Sequence, residues 1–189
     1  IQEVEAAPAK PEKEAEAEVE ADAEAEKEPA PVRDRVFISY AGEDEKKHKW
    51  LTRLQDHIDP LQDAFIEKRP ELADEELIFD ATKIKPGEQW RERIDEALAR
   101  AKVGVLLVSK AFLVSPFIKT EEALPILLAA KEEGLTILWV LLDVCNWEQT
   151  EIAKFQAMNE TKPLAVMKKT QAEKVLKKLS KLIFEELEK

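Results

Sequence analysis

The sequence of 189 residues contains a single cysteine, Cys145, and therefore cannot form an internal disulfide. A lone cysteine fits a reducing compartment, and we expect a cytoplasmic protein. No apolar run approaches the roughly 20 residues that a membrane-spanning helix requires, so we predict no membrane association. The chain begins at Ile1 without a signal-peptide pattern, and we interpret it as a piece of a longer protein.

Several common kinds of site are also missing. Neither GxGxxG nor GxxxxGK[ST] occurs, so the two phosphate-binding fingerprints are absent. The only histidines, His48 and His57, are nine residues apart on one predicted helix, and we predict no metal site and no bound cofactor. Cys145 has no histidine near it in the sequence, which argues against a thiol nucleophile. Acidic residues interleave with the lysines of the last helix, which predicts an ordinary solvated face for Lys174, Lys177, Lys178 and Lys181.

The net charge of −11 is concentrated at the N-terminus, where residues 1–34 carry 12 acidic and 4 basic side chains. This segment is built mainly from Ala, Glu, Pro, Lys and Val, and residues 3–32 include four prolines. Because it has little to bury and its carboxylates repel, we predict a disordered, extended acidic linker, with an acidic interaction tail as the alternative. Residues 35–189 carry only −3, so they offer no basic excess for nucleic-acid phosphates.

From Arg35 onward, apolar strands alternate with amphipathic helices. Five strands are predicted, at residues 36–40, 77–80, 103–108, 135–142 and 164–167. Helices are predicted at residues 44–68, with a break or kink at Pro60, and at 88–102, 118–132, 151–157 and 171–188. This order indicates an α/β, flavodoxin-like fold, in which a parallel five-stranded sheet carries helices on both faces.

Polar residues follow the carboxyl ends of successive predicted strands. All strands of a parallel sheet end on the same side, and ligands of open α/β sheets bind there, so we predict a pocket at this edge. The residues concerned are Ser39 and Tyr40, then Asp80 and Lys83, then Ser109, and finally Glu121 and Glu122 at the start of the next helix.

Four stretches of the sequence occur in an order that carries a family resemblance. They are VFISYAGEDE, IFDATKIKPGEQWRERIDEAL, VGVLLVSKAFLVSPFIKTEEALPILLAA and LTILWVLLDVCNW. With these motifs the chain resembles a Toll/interleukin receptor (TIR) domain of the bacterial type over about residues 35–187. The composition of the N-terminal segment predicts a linker over residues 1–34, and the resemblance implies a TIR domain over residues 35–189.

The resemblance also implies an activity, because many such domains hydrolyse NAD+ at the nicotinamide–ribose bond to ADP-ribose or a cyclic variant. Breaking this bond develops oxocarbenium-like positive charge on the ribose, which a nearby carboxylate stabilises. Nicotinamide leaves as a neutral molecule, so one glutamate suffices. NAD+ is then a substrate and not a cofactor.

Family spacing selects Glu122 as the catalytic acid, since it follows Phe117-Ile118 after three residues, and Glu121 is the alternate. The alternative interpretation of Glu121 and Glu122 is structural, in which the negative charge only interacts favourably with the helix dipole at the N-terminus. Phe117 stands where many members have tryptophan, and Ala81 follows Asp80 where a charged residue is frequent. The substrate-binding residues implied by the resemblance are Ser39, Tyr40, Asp80, Lys83, Trp90, Ser109 and Phe117. Trp90 also fits a core position, and Lys83 fits a solvated loop.

In the family that the chain resembles, the loop at residues 81–89 packs against a neighbouring domain, so we expect activity to depend on self-association with other TIR domains. The flexible linker suits a domain tethered to an upstream sensor. The expected setting is bacterial defence against phage. The competing interpretation is a non-catalytic module whose whole function is TIR–TIR contact. A third is a deoxyribosyltransferase-like enzyme acting on a nucleoside.

Overall fold

Four parallel strands form the centre of the fold. In this computed structural model, the structure describes residues 31–80, 89–115, 127, 131, 134–159 and 162–189, with the backbone alone for Trp90. The strands are β1 (Arg35–Ser39), β2 (Ile78–Asp80), β3 (Ala101–Val108) and β4 (Thr136–Leu141), and they lie in the order β2-β1-β3-β4. Every pairing in this sheet is parallel.

Helices cover both faces of the sheet, as the alternating pattern of the sequence predicts. The helices of the described residues are α1 (Gly42–His48), α2 (Trp50–Lys68), α3 (Trp90–Ala99), α4 (Lys110–Val114) and α5 (Lys169–Glu188). One core lies between the sheet and the helices α2 and α5, and a second lies between the sheet and the helices α3 and α4. None of the helices in this part of the chain is long and apolar enough to cross a membrane.

The central strand β3 has a buried core on each side. Val105 and Leu107 pack into the core under α2 and α5, whereas Leu106 and Val108 pack into the opposite core. Successive side chains of a strand point to opposite faces, so a strand covered on both faces must be apolar at every position. The continuous apolar run in the sequence therefore predicts this strand correctly.

The first predicted helix is interrupted early in its course. Lys49 adopts a left-handed conformation with φ 56° and separates α1 from α2. The carboxylate of Glu45 accepts hydrogen bonds from the backbone N–H groups of Leu51 (2.8 Å) and Thr52 (3.3 Å). These N–H groups open α2 and lack partners within it, so Glu45 stabilises the new helix start.

Of the predicted break or kink at Pro60, the break is wrong, because α2 runs through this residue without interruption, and the kink stays a prediction. Pro60 removes the N–H that would bond to the carbonyl of Asp56, four residues earlier. Both residues are exposed, so the carbonyl lies on the solvated side of the helix. The opposite side of α2 is anchored in the core by Leu54, Ile58 and Phe65.

The predicted fifth strand is also wrong: among the described residues the sheet has four strands, and Leu164–Val166 forms a 3₁₀ turn. Beyond β4, Ala157 makes a single parallel bridge to Trp139. The side chain of Asn159 then accepts a hydrogen bond from the N–H of Leu141 (2.9 Å) and donates one to its carbonyl (2.7 Å). The amide thus occupies backbone groups of β4 that an added strand would use.

Most of the other predicted elements are present with shifted ends. The last helix begins at Lys169 in place of residue 171. The short helix predicted at residues 151–157 is a 3₁₀ helix, Glu151–Lys154. Gly134, expected to end the helix predicted at residues 118–132, has φ +99° and donates from its N–H to the carbonyl of Lys131 (3.2 Å). The body of that helix lies largely outside the described residues.

The described chain is attached to the domain from Arg33 onward. The Arg33 guanidinium donates to the carbonyls of Leu98 (3.2 Å) and Ala101 (2.9 Å). The N–H groups of Asp34 and Arg35 both donate to the carbonyl of Arg100, at 3.1 and 3.0 Å. Residues 1–30 lie outside the described part of the chain, and the linker and its boundary at residue 34 stay predictions.

Candidate functional site

The pairing register aligns the carboxyl ends of the three strands that carry the predicted polar residues. Ile38 of β1 is paired with Asp80 on one side and with Val105 on the other. Tyr40 comes two residues after Ile38, and Ser109 comes directly after β3. The structure therefore brings Ser39, Tyr40, Asp80 and Ser109 to one edge of the sheet, as the parallel topology requires.

Tyr40 and Asp80 form the first polar group at this edge. Burial and the nearby carboxylates of Asp80 and Glu45, in that order, raise the pKa of Tyr40 from 10.0 to about 12. Both causes disfavour the phenolate, because burial removes its solvation and the carboxylates repel its charge. Tyr40 therefore keeps its proton at neutral pH and is a hydrogen-bond donor.

Asp80 is fully buried at the end of the edge strand β2. Its carboxylate accepts a hydrogen bond from Nε2 of Gln55 (3.2 Å), which lies on α2. An open cleft of about 440 Å³ runs along β2 at this point, and its lining includes Gln55, Asp59 and Asp80. The cleft is acidic, so it suits hydroxyl donors or a cationic ring better than phosphates.

Ser109 and Asp44 form a second polar group on the other side of β1. The Ser109 hydroxyl donates to the Asp44 carboxylate (2.5 Å) and accepts from the N–H of Phe112 (3.0 Å). The second of these bonds caps the N-terminus of α4. Ser109 is 1% exposed and Asp44 is 8% exposed, so the pair is almost entirely buried. The hydroxyl thus links α1 to the start of α4, and its predicted role in substrate binding stays a prediction.

Asp44 lies at this polar edge although it is not among the site residues predicted from the sequence. Burial raises its pKa, although the hydrogen bond from Ser109 and the nearby His48 act in the opposite direction. The charges of Glu43 and Asp143 add to the increase. Its sequence position suggests only an acid in the first turn of a helix, since a buried partner 65 residues away leaves no local pattern.

The structure does not describe the remaining predicted site residues. Lys83, Phe117, Glu121 and Glu122 lie outside the described residues, as does the side chain of Trp90. Trp90 itself is the first residue of α3. Within the part of the chain that is described, no group of three or more His, Cys, Asp or Glu side chains is arranged to hold a metal ion.

The chemistry available at the described edge is binding and positioning. Tyr40 offers a protonated donor, and Asp80 offers a carboxylate held at a fixed place by a strand and by Gln55. The bond between Ser109 and Asp44 fixes the start of α4, whose last residue, Val114, is seven residues before Glu121.

Comparison with known sequences and structures gives one family match. The TIR domain family model matches residues 36–179. Among solved structures, the chain is similar to the TIR domains of the activated Roq1 resistosome directly recognizing the pathogen effector XopQ. That similarity has 23% sequence identity and a TM-score of 0.39, and it covers 78% of this chain and 83% of the other. No curated protein matches the chain.

Proposed function

The chain belongs to the TIR domain family, and we propose that it cleaves NAD+ at the bond between nicotinamide and ribose. The products are nicotinamide and either ADP-ribose or a cyclic variant of it. The observation that carries this proposal is the family match over residues 36–179, which spans all four motifs of the sequence.

The proposed catalytic acid is Glu122, with Glu121 as the alternate. Its carboxylate stabilises the positive charge that develops on the ribose as nicotinamide leaves. The same charge is absent from the ground-state ribose, so the interaction strengthens in the transition state and lowers the barrier. No nucleophile on the protein is needed, because water or a second part of the substrate captures the ribose.

The described edge of the sheet supports this proposal through its charge. The nicotinamide ring of NAD+ is cationic before cleavage, and the buried carboxylate of Asp80 provides a negative potential beside the β2 cleft. The protonated phenol of Tyr40 is suited to donate a hydrogen bond to a ribose or amide oxygen. In the proposed site Lys83, Trp90 and Phe117 contribute the phosphate and ring contacts.

We further propose that activity depends on self-association, in which the segment at residues 81–89 meets a neighbouring domain and completes the pocket. In this scheme an upstream sensor clusters the domains, and NAD+ is depleted in the bacterial cytoplasm in response to phage. The proposal follows from membership of the family.

The test is NAD+ consumption by the concentrated or artificially clustered chain. Wild type is compared with Glu122→Ala and Glu121→Ala, and nicotinamide release is followed by chromatography. We expect Glu122→Ala to lose at least about 100-fold in rate, since removal of a charge-stabilising group costs about this much. Glu71→Ala is a matched control, because Glu71 is an exposed acid on the 3₁₀ turn Pro70–Leu72.

Each other outcome selects a different function. Loss of activity only in Glu121→Ala identifies the alternate acid. Absence of NAD+ consumption by clustered wild type contradicts the enzyme proposal and favours a non-catalytic TIR–TIR module. Transfer of a nucleoside base without NAD+ turnover favours the deoxyribosyltransferase-like interpretation.

A further inference from the structure

A cavity of about 260 Å³ lies at the amino ends of the strands, at the opposite edge of the sheet from Tyr40, Asp80 and Ser109. Its lining includes Arg35, the first residue of β1, and Arg100, which directly precedes β3. Parallel strands begin at one edge of a sheet and end at the other, so this amino-edge cavity is distinct from the edge at which NAD+ cleavage is proposed.

The amino-edge cavity has a buried floor and an exposed, charged rim. Arg35 and Phe79 line it although they are only 4% and 3% exposed, and the ring of Phe79 is stacked on Phe37, with centroids 5.6 Å apart. Glu75 and Glu96, which also line it, are exposed. A concave site with an apolar floor and a few polar groups is the usual form of a small-molecule site.

The guanidinium group of Arg35 has one nitrogen atom without a partner. Its Nη2 donates to the carboxylate of Glu75, and its Nε lies 3.3 Å from the carboxylate of Asp34. Its Nη1 is buried and has no hydrogen-bond partner among the described residues. Because a buried donor without an acceptor is unfavourable, an acceptor atom that a ligand brings into the cavity would be stabilised there.

The charges around the cavity are balanced. Arg35 and Arg100 both pair with Glu75, and Arg93 pairs with Glu76 and Glu96, at 3.0 Å each. An anion would be attracted by the arginines and repelled by the glutamates, and a cation would meet the reverse, so the lining favours a neutral ligand. The charged residues of the lining are Arg35, Arg93, Arg100, Glu75, Glu76 and Glu96.

The hydrogen-bonding groups of the cavity include an acceptor as well as a donor. Both hydrogen bonds that Glu75 accepts from arginines end on its Oε2, so its Oε1 is left to accept from a ligand. A ligand that matches Arg35 and Glu75 together carries one acceptor and one donor, as the carbonyl and N–H of an amide do. The volume is below the range of about 300–1,000 Å³ that is typical of sites for drug-sized molecules, which limits the ligand to about one ring.

We propose that the amino-edge cavity binds a neutral, single-ring molecule with an amide edge, such as an aromatic carboxamide or a pyrimidine base. The ligand carbonyl accepts from Nη1 of Arg35, its N–H donates to Oε1 of Glu75, and its ring contacts Phe79 and Ala97. This site goes beyond the proposed function, since it needs neither NAD+ nor its cleavage.

The test is titration of the ¹⁵N-labelled chain with nicotinamide and, separately, with uracil, in the absence of NAD+. We expect saturable NMR shifts of the backbone N–H groups of Glu96, Ala97 and Arg100, with a dissociation constant at or below about 1 mM, as for other single-ring ligands. The probe with the lower dissociation constant shows whether a carboxamide or a nucleobase fits better.

Two anionic probes test the preference for a neutral ligand. Nicotinic acid has the shape of nicotinamide, but its carboxylate is charged at neutral pH. We expect nicotinic acid and inorganic phosphate to bind at least about tenfold more weakly than nicotinamide, because the glutamates of the lining repel them.

Two variants test the location of the site. Ala97→Leu places a larger side chain on the lining without touching an ion pair, and Ala64→Leu is the matched control on an exposed position of α2. Ala97→Leu is expected to weaken binding about tenfold or more by filling the space, and the control is expected to bind as wild type does. Arg35→Lys keeps the positive charge but lacks Nη1, and it too should weaken binding about tenfold or more. Glu75 is left unchanged because it also lines the β2 cleft.

The melting temperature of each variant is measured, and Ala97→Leu decides the test if Arg35→Lys does not fold. The proposal is overturned if neither amide shifts α3, if the anionic probes bind as tightly as nicotinamide, or if Ala97→Leu binds as wild type does. Shifts confined to the carboxyl edge, around Ser39 and Ser109, also overturn it and leave the proposed NAD+ cleavage intact.

Discussion

The hydroxyl of Ser109 joins two parts of the fold, and its removal is expected to be costly. Ser109→Ala deletes the cap of α4, which is worth about 0.5–2 kcal/mol. It also leaves the Asp44 carboxylate without this donor, and a hydrogen bond to a charged group contributes about 1.5–3 kcal/mol. Because Asp44 is 8% exposed and retains slight access to water, we expect a total loss of about 2–4 kcal/mol in the free energy of unfolding.

Urea unfolding followed by circular dichroism measures this loss, and the slope of the transition shows whether the unfolded state also changes. A loss of this size lowers the melting temperature by about 5–15 °C for a domain of this length. Ser115→Ala is the matched control, because Ser115 ends α4 with no side-chain hydrogen bond to a described residue. It is expected to change stability by less than about 0.5 kcal/mol.

A double-mutant cycle with Asp44→Ala then isolates the bond between the two side chains. The loss from Ser109→Ala should shrink when Asp44 is already absent, since residues in direct contact are not additive. The reasoning is refuted if Ser109→Ala costs no more than the Ser115 control, or if the two losses simply add.

Two further predictions concern neighbouring parts of the domain. Burial raises the folded-state pKa of Asp44 above its usual 3.8, so the folded protein binds this proton more tightly than the unfolded chain. The stability that the proton contributes is present below that value and is lost as the pH rises through the folded pKa. The unfolding free energy of wild type, measured by urea unfolding at successive pH values, should therefore fall relative to that of Asp44→Asn as the pH rises above the usual 3.8. A difference between the two proteins that stays constant with pH would contradict this. The second prediction compares two glycines. Gly104→Ala places a methyl group 3.2 Å from both Ile137 and Leu127 and should lower the free energy of unfolding by about 1–3 kcal/mol. Gly42→Ala has open space around it in α1 and should raise this free energy by up to about 1 kcal/mol, so equal shifts of the melting temperature for the two variants would refute the contrast.

The sheet was largely predictable because its signal is local. The run Val103–Val108 is apolar at every position, and a strand buried on both faces requires this composition. Alternation with helices then implies parallel pairing, and parallel pairing places Tyr40, Asp80 and Ser109 at one edge. These steps use only the order of residues and the geometry of the backbone.

The predictions of a helix break and of a fifth strand were wrong because contacts with residues elsewhere in the fold override the local sequence pattern. A proline predicts a helix break, but α2 continues through Pro60 because core contacts of its opposite side hold the helix. A short apolar run predicts a strand, but the side chain of Asn159 occupies the backbone groups of Leu141 at the outer edge of β4. Neither the core contacts of α2 nor the hydrogen bonds of Asn159 can be recognised from the sequence around the element concerned.

By itself the sequence determined the α/β class, the strand ends that gather the polar residues, and the family, since hydrophobic periodicity and motif order are properties of the chain. Only the tertiary structure decided that the Ser109 hydroxyl is held by Asp44, that Asp80 is fully buried beside Gln55, and that Glu173 turns away from the lysines of α5. The physical reason is that burial and pairing depend on residues 25 to 120 positions apart, whose contact no local pattern records.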